Sequence, residues 1–185
     1  EAVDRVARAL GAGRMVELPE AQRARAAAFL ITNAESSALH LDRLRRRATD
    51  FDPDTRDRFL AGALAPAAWA IKAQRFRRWY HDRVLALFRE VDVILAPATP
   101  CPAPLIGQKT MTLDGGEVAV RPNLGLFTQP ISFIGLPVAA VPVHGIGPLP
   151  LGVQVIAAPW REDLCLRVAA ELEAAGVATA PAAEL

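Results

Sequence analysis

Apolar residues follow two different rhythms along this chain. Through residues 1–90 they recur every three or four positions, the spacing of helices with one buried face. After residue 90 they come in short blocks cut by Pro and Gly. Twelve of the 15 prolines and nine of the 12 glycines lie there. Pro fixes φ and lacks a donor, so neither a long helix nor a central strand runs through such punctuation. The pattern predicts an α/β fold: helices over 1–90, short strands and irregular segments over 91–160, then a closing helix and tail. There is no internal repeat. No hinge-like linker separates the two textures, so the helices are expected to pack on the sheet.

The elements can be read one by one. Ala2–Leu10 is a short amphipathic helix stopped near Gly11 and Gly13, and Met15–Leu18 reads as a strand. Pro19 suits the first position of a helix whose N-terminus Glu20 favours. Leu30, Ala34, Ser37, Ala38, Leu41 and Leu44 carry its stripe as far as about Arg47. Asp52-Pro53-Asp54 is a second start, with Asp52 as N-cap. Pro66 opens a third helix to about Arg89, with Phe76, Trp79, Arg83 and Leu87 as its expected core stripe. Val91–Ala96 is a buried strand, stopped by P-A-T-P-C-P-A-P. Thr110–Val120 holds Asp114-Gly115-Gly116 between alternating residues, a hairpin signal. Val138–Val143 and Gly152–Ala157 are strands joined by the loop His144–Pro150. Glu162–Ala175 is a helix with Leu164, Val168 and Leu172 on one face and Gly176 beyond its end. The Ala/Pro tail is expected to fray.

One segment stands out. In Gln129–Val143 (Q-P-I-S-F-I-G-L-P-V-A-A-V-P-V), Pro130, Gly135, Pro137 and Pro142 interrupt an almost continuous apolar run. A buried path so punctuated is rigid and irregular, as a pocket wall must be.

Composition narrows the class. At 185 residues and 52% apolar, the chain is of single-domain size with a well-covered core, or with apolar surface awaiting a partner. No membrane span and no signal peptide are expected. The chain opens on Glu1 rather than Met, inside a helical pattern, and is expected to be a fragment or a processed chain. Net charge is +1 overall, yet residues 1–90 carry 17 Lys/Arg against 12 Asp/Glu, and residues 91–185 carry 4 against 8. This reads as a solvated helical half and a buried sheet half. Cys101 and Cys165 form no C-x-x-C and no metal spacing with His40, His81 or His144. A reducing, cytoplasmic setting fits, with both as small buried residues and no metal site.

Candidate chemistry is sparse. Ser36-Ser37 sits inside a helix, whose backbone N–H groups serve their own ladder. A nucleophilic Ser needs an exposed turn, a base and oxyanion donors. The histidines stand far apart and read as structural. Lys72 and Lys109 lack a neighbour that marks a base. No Gly-rich phosphate loop exists. Arg75, Arg77, Arg78 and Arg83 interleave with Phe76, Trp79 and Tyr80, which could suit a nucleic acid; a core stripe with charges alongside accounts for it, and no nucleic-acid partner is expected. Arg58, in D-T-R-D-R-F-L-A-G, has the planar fork that binds a carboxylate, or pairs with Asp54 or Asp57 at the surface.

Three segments resemble the C-terminal part of amidase-signature enzymes: D-V-I-L-A-P-A-T-P (Asp92–Pro100), P-I-S-F-I-G-L-P-V-A-A-V-P (Pro130–Pro142) and L-G-V-Q-V-I (Leu151–Ile156). R-F-L-A-G-A-L-A-P from Arg58, A-Q-R-F-R-R-W from Ala73 and R-P-N-L-G-L-F-T-Q-P from Arg121 resemble the 1-carboxybiuret hydrolase-like branch, a relative of the glutamyl-tRNA amidotransferase A-subunit. The resemblance implies a mixed β-sheet covered by helices, forming the C-terminal portion of one amidase-signature domain over 1–185. It implies hydrolysis of a small amide or urea-like C–N bond by a Ser–cis-Ser–Lys triad without a cofactor. Triad and Gly/Ser-rich loop belong to the family's N-terminal half, so no catalytic residue is assigned here. By matched position Arg58 holds a substrate carboxylate, while Thr128 and Gln129, with Phe127 beside them, form the wall that reads the substrate; Arg121 and Asn123 are further candidates. Arg121 equally suits a pair with Glu117. The amidotransferase branch places an acidic residue at the position of Gly125 to read an amino group. Its absence argues against glutamine. Expected partners are a small amide, the N-terminal half of the same enzyme, and a homodimer mate or small accessory subunit. The other reading is a stand-alone, non-catalytic interaction module derived from an amidase.

Overall fold

A computed structural model describes residues 1–180. The chain divides into two compact units, one of Pro19–Arg83 and one joining Glu1–Leu18 to the chain from Val84 on. The tail expected to fray lies, from Pro181 on, outside the described residues.

The first unit is helical. Helix α2 (Ala21–Arg47) turns through a short 3-10 segment (Ala48–Asp50) into α3 (Pro53–Leu64), and α4 (Ala67–Leu87) follows, its last residues from Val84 on counting with the second unit. Asp52 caps α3 as expected: its Oδ1 accepts from the Asp54 N–H at 2.8 Å. Helix α2 begins later than Pro19, because Glu20 takes a left-handed φ of 60° that cannot join a right-handed helix. Its buried positions are Ala24, Ala27, Ala28, Ile31, Ser37 and Leu44. Helices α2 and α3 meet at Gly62, where a Cβ would stand 2.1 Å from the Asn33 carbonyl oxygen. On α4 the buried stripe runs through Ala73, Tyr80 and Val84, one position from the expected one. Trp79 is half-exposed instead, and the Arg83 guanidinium lies 5.6 Å from its ring centre.

The second unit is built on a three-stranded sheet. Strands β1 (Val93–Pro97), β4 (Val138–Val143) and β5 (Leu151–Ala157) take the order β1-β5-β4, antiparallel throughout. On one face Val153 and Val155 of β5 and Val141 and Val143 of β4 join a core with Val6 of α1 (Ala2–Ala9) and Leu172 of α7 (Glu162–Ala174). Gly176, at φ 67°, ends α7, and the Val177 N–H turns back to the Leu172 carbonyl. Strands β2 (Thr110–Leu113) and β3 (Gly116–Ala119) form the expected hairpin. Asp114 and Gly115 both take positive φ there, the geometry that matches strand twist.

Two further expectations fail. Met15–Leu18 forms no strand. It pairs with no strand among the described residues, and without a partner four residues have no ladder to join. The path Gln129–Val143 is not irregular throughout: Gln129–Ser132 is a helical turn, α6, with Pro130 at its start, where a missing N–H costs nothing. Residues 122–160 carry no charged side chain, but Pro and Gly divide them among short elements. Among the described residues, no helix is long and apolar enough to cross a membrane.

Candidate functional site

The sheet face opposite the valine core positions the candidate site. Directly paired residues of antiparallel strands share a face. Gln154 of β5 therefore sits between Ala96 of β1 and Ala140 of β4. Its small neighbours leave room for chain to pack over it. Gln154 is only 2% exposed. Its Nε2 donates to the Pro97 carbonyl at 2.7 Å and to the Phe127 carbonyl at 3.2 Å. One amide group thus ties the end of β1 and the 124–134 segment to the central strand. Two residues earlier, Gly152 accepts from the Ala98 N–H at 2.9 Å, and a Cβ on Gly152 would stand 2.8 Å from the Ala98 Cβ.

The segment that carries Phe127, Thr128 and Gln129 is fixed at both ends. Helix α5 (Val120–Asn123) delivers the chain from the hairpin, with Asn123 Nδ2 donating to the Ala119 carbonyl at 2.9 Å. The Gln129 N–H then reaches the Gly125 carbonyl, and the Ile131 and Ser132 N–H groups reach that of Thr128. At the far end the Pro137 carbonyl accepts from the Ala157 N–H at 3.1 Å and from the Cys165 Sγ at 3.5 Å. Burial pushes the Cys165 thiol up from its ordinary pKa, which suits an inert packing role. Phe127, Thr128 and Gln129 are each half-buried, and Arg121 is exposed at the start of the segment. Gly125 faces Thr128: a Cβ there would lie 3.6 Å from Thr128 Oγ1, an ordinary contact. The local backbone would accept a side chain at 125, so its absence reflects something other than crowding.

Arg58 stands in the helical unit, on α3. Its guanidinium lies 4.9 Å from the centre of the Phe29 ring. Asp57, one of the two carboxylates the sequence offers it, is 3.4 Å from Arg56 instead. A cation stacked on an aromatic face keeps its N–H edge available for an anion. The helical unit also holds a cleft of about 330 Å³ with Ala26, Ala27 and Ala73 in its walls and Trp69 and Lys72 at its side. None of the sequence-predicted site residues lines it.

Of the residues set aside on sequence, Ser37 and His40 are packing groups. Ser37 is buried and its Oγ donates to the Ala34 carbonyl of its own helix at 3.0 Å. The His40 ring stacks on Phe59 and meets Phe51 edge-on. His81 lies 3.1 Å from Asp82, holding that carboxyl below its usual range. The His144 carbonyl accepts from Arg5 at 2.7 Å. Among the described residues, no group of three or more His, Cys, Asp or Glu is placed to hold a metal ion. Gln154 is what sequence reasoning passes over. The signal is there: a single amide inside the apolar run L-G-V-Q-V-I must find partners if buried.

Comparison with known proteins identifies the family. The family model described as amidase matches residues 7–166. The chain is 51% identical to AtzE, a component of the 1-carboxybiuret hydrolase of Pseudomonas sp. (strain ADP), over 96% of its length and 39% of that protein. It is 32% identical to the glutamyl-tRNA(Gln) amidotransferase A-subunit of Pseudomonas fluorescens, over 83% of this chain and 36% of that one. It superposes with a TM-score of 0.93 and 51% identity on a chain of the inhibitor-bound vestigial protein complex that bears on the origins of an s-triazine catabolic enzyme. That match covers 96% of this chain and 39% of the other. The chain thus spans about two fifths of the length of the relatives it matches. With the family model matching residues 7–166, through both units, and a TM-score of 0.93 to a relative at 51% identity, the chain belongs to the amidase family.

Proposed function

We propose that this chain is the C-terminal portion of a single amidase-signature domain, and that the whole protein hydrolyses a small carboxylated or urea-like amide. The observation that carries the reading is 51% identity to a 1-carboxybiuret hydrolase component along nearly the whole chain. In this reading the remaining length of the polypeptide supplies a Ser–cis-Ser–Lys triad. A neutral Lys accepts the nucleophile's proton through the bridging Ser, the Ser oxygen attacks the amide carbonyl, and the amine leaves with a proton. Backbone N–H groups hold the oxyanion, and water then releases the acyl group.

This chain supplies the substrate wall. Arg58 holds a carboxylate, Thr128 and Gln129 hydrogen-bond the amide or urea group, and Phe127 and Arg121 border them. The stacking of Arg58 on Phe29 supports the first role, and the fixed backbone of 124–134 supports the second. Gly125 supports exclusion of glutamine, since it offers no carboxylate to an amino group. Free Cys101 and Cys165 suit a reducing cytoplasm. An accessory subunit is proposed by analogy with a relative whose solved form is itself a complex.

The test is purification of the full-length polypeptide and an assay of ammonia release from biuret and 1-carboxybiuret, with glutamine as control. Hydrolysis of the urea-like compounds but not glutamine is expected. Loss of a charge-assisted bidentate contact in Arg58→Ala should raise KM about tenfold or more with kcat little changed. No hydrolysis of any small amide would overturn the enzymatic reading and favour an interaction module. An unchanged KM in Arg58→Ala would remove the clamp alone.

A further inference from the structure

We propose that Gln154 is a positioning residue for the substrate wall, a side chain that sets where the Phe127–Gln129 backbone sits on the sheet. The inference rests on the reading of 127–129 as wall. Three observations carry it.

Gln154 is buried to 2% exposure on the middle strand, so its place is fixed by β1 on one side and β4 on the other. It does not spend its amide on the strand ladder or on a neighbour in sequence. Its Nε2 donates to carbonyls 57 and 27 residues away, those of Pro97 and Phe127. Two N–H bonds on one planar nitrogen diverge at a fixed angle, so the pair determines both distance and direction of the two chains. Finally, the residues facing Gln154 across the ladder are Ala96 and Ala140, which cannot replace that bond or fill its space. The Phe127 carbonyl stands immediately before Thr128 and Gln129. Displacing it moves both candidate contacts together. Further along, the Pro137 anchor is backbone-made by the Ala157 N–H and survives any change at 154. The wall would therefore loosen at one end only.

The test uses the full-length polypeptide with Gln154→Met, which keeps length and volume but removes both donors. Hydrogen exchange should accelerate at the Gln129, Ser132 and Phe133 amides, while the amides of β4 and β5 keep their protection. In the same variant kcat/KM on 1-carboxybiuret should fall on the order of 100-fold, the usual consequence of moving a contact by about an ångström. Should Gln154→Met fail to fold, Gln154→Asn carries the test. It keeps the amide but is one methylene short of the two carbonyls, and the same selective exchange is expected. Unchanged exchange at 129–133 in a folded variant overturns the proposal, as does a uniform loss of protection through the sheet. A separate pair, Thr128→Ala and Gln129→Ala, addresses the underlying reading. If these leave KM unchanged while the Gln154 variants still loosen 129–133, the wall assignment fails and the positional role of Gln154 stands.

Discussion

Gly62→Ala sets two known effects against each other, and the structure decides the sign. In a helix interior Ala is better than Gly by about 0.8–1 kcal/mol. Gly62 lies inside α3, so propensity alone predicts stabilisation. At this position, however, the added Cβ would stand 2.1 Å from the Asn33 oxygen and 2.5 Å from the Asn33 carbonyl carbon. Ordinary contact begins near 3.4 Å, so the two helices must part by about an ångström. Both opposing atoms belong to the α2 backbone, and no rotamer change relieves the clash. Forced separation in a packed interface costs about 1–3 kcal/mol, sometimes more, and the upper end applies where backbone meets backbone. The net expectation is a loss of about 2 kcal/mol. At about 2–4 °C per kcal/mol for a domain of this size, the melting midpoint falls by about 4–8 °C. A circular-dichroism melt with a parallel urea titration measures it. A midpoint equal to or above that of the parent would show that the close approach of α2 and α3 is wrong, and with it the account of why R-F-L-A-G carries Gly at its fifth position.

Other expectations follow from single contacts. Burial pushes Tyr80 from 10.0 to about 12. An unfolded tyrosine ionises near pH 10, so above that pH the unfolded state binds fewer protons and stability falls as pH rises, up to the folded value near 12. Tyr80 is the chain's single tyrosine, so its tyrosinate absorbance reads the group directly; titration near 10 in the folded chain would contradict its burial. Gly152→Ala places a Cβ 2.8 Å from the Ala98 Cβ, and a loss of about 1–3 kcal/mol in urea denaturation is expected. A neutral result would mean that the turn after β1 moves away freely. Arg58→Ala should raise KM while stability drops by no more than about 1 kcal/mol, since a half-exposed cation stacked on a ring contributes about 0.5–1 kcal/mol; a large stability loss with unchanged KM would make Arg58 a packing residue.

Much of the fold was legible because local rules agreed with one another. The Asp52 cap, the Asp114-Gly115 turn and the Gly176 stop each rest on a backbone requirement that only a few residue types meet. The failures share a cause as well. Met15–Leu18 had β-like composition but no partner strand, and pairing is what makes a strand. On α4 the stripe through Phe76, Trp79 and Leu87 was as regular as the true one through Ala73, Tyr80 and Val84. Helical periodicity fixes that one face is buried, and the packing partner chooses which. Of the candidate site, Thr128 and Gln129 were proposed through a matched motif, whereas Gln154 was passed over because its partners lie 27 and 57 residues away.

What the order of residues determined by itself is local: where helices start and stop, which turn joins β2 to β3, and the motifs that mark the amidase family. The spacing of Pro and Gly also determined that Gln129–Val143 could be neither one helix nor one strand. What only the tertiary structure decided is where distant pieces meet. It placed β5 between β1 and β4, put Gln154 on the face away from the valine core, and brought the Pro97 and Phe127 carbonyls to the same nitrogen. It also brought α3 so close to α2 that one position must be glycine. The reason is physical. Capping and turn preferences act within a few residues, while burial and the pairing of buried polar groups are settled only once the whole chain has packed.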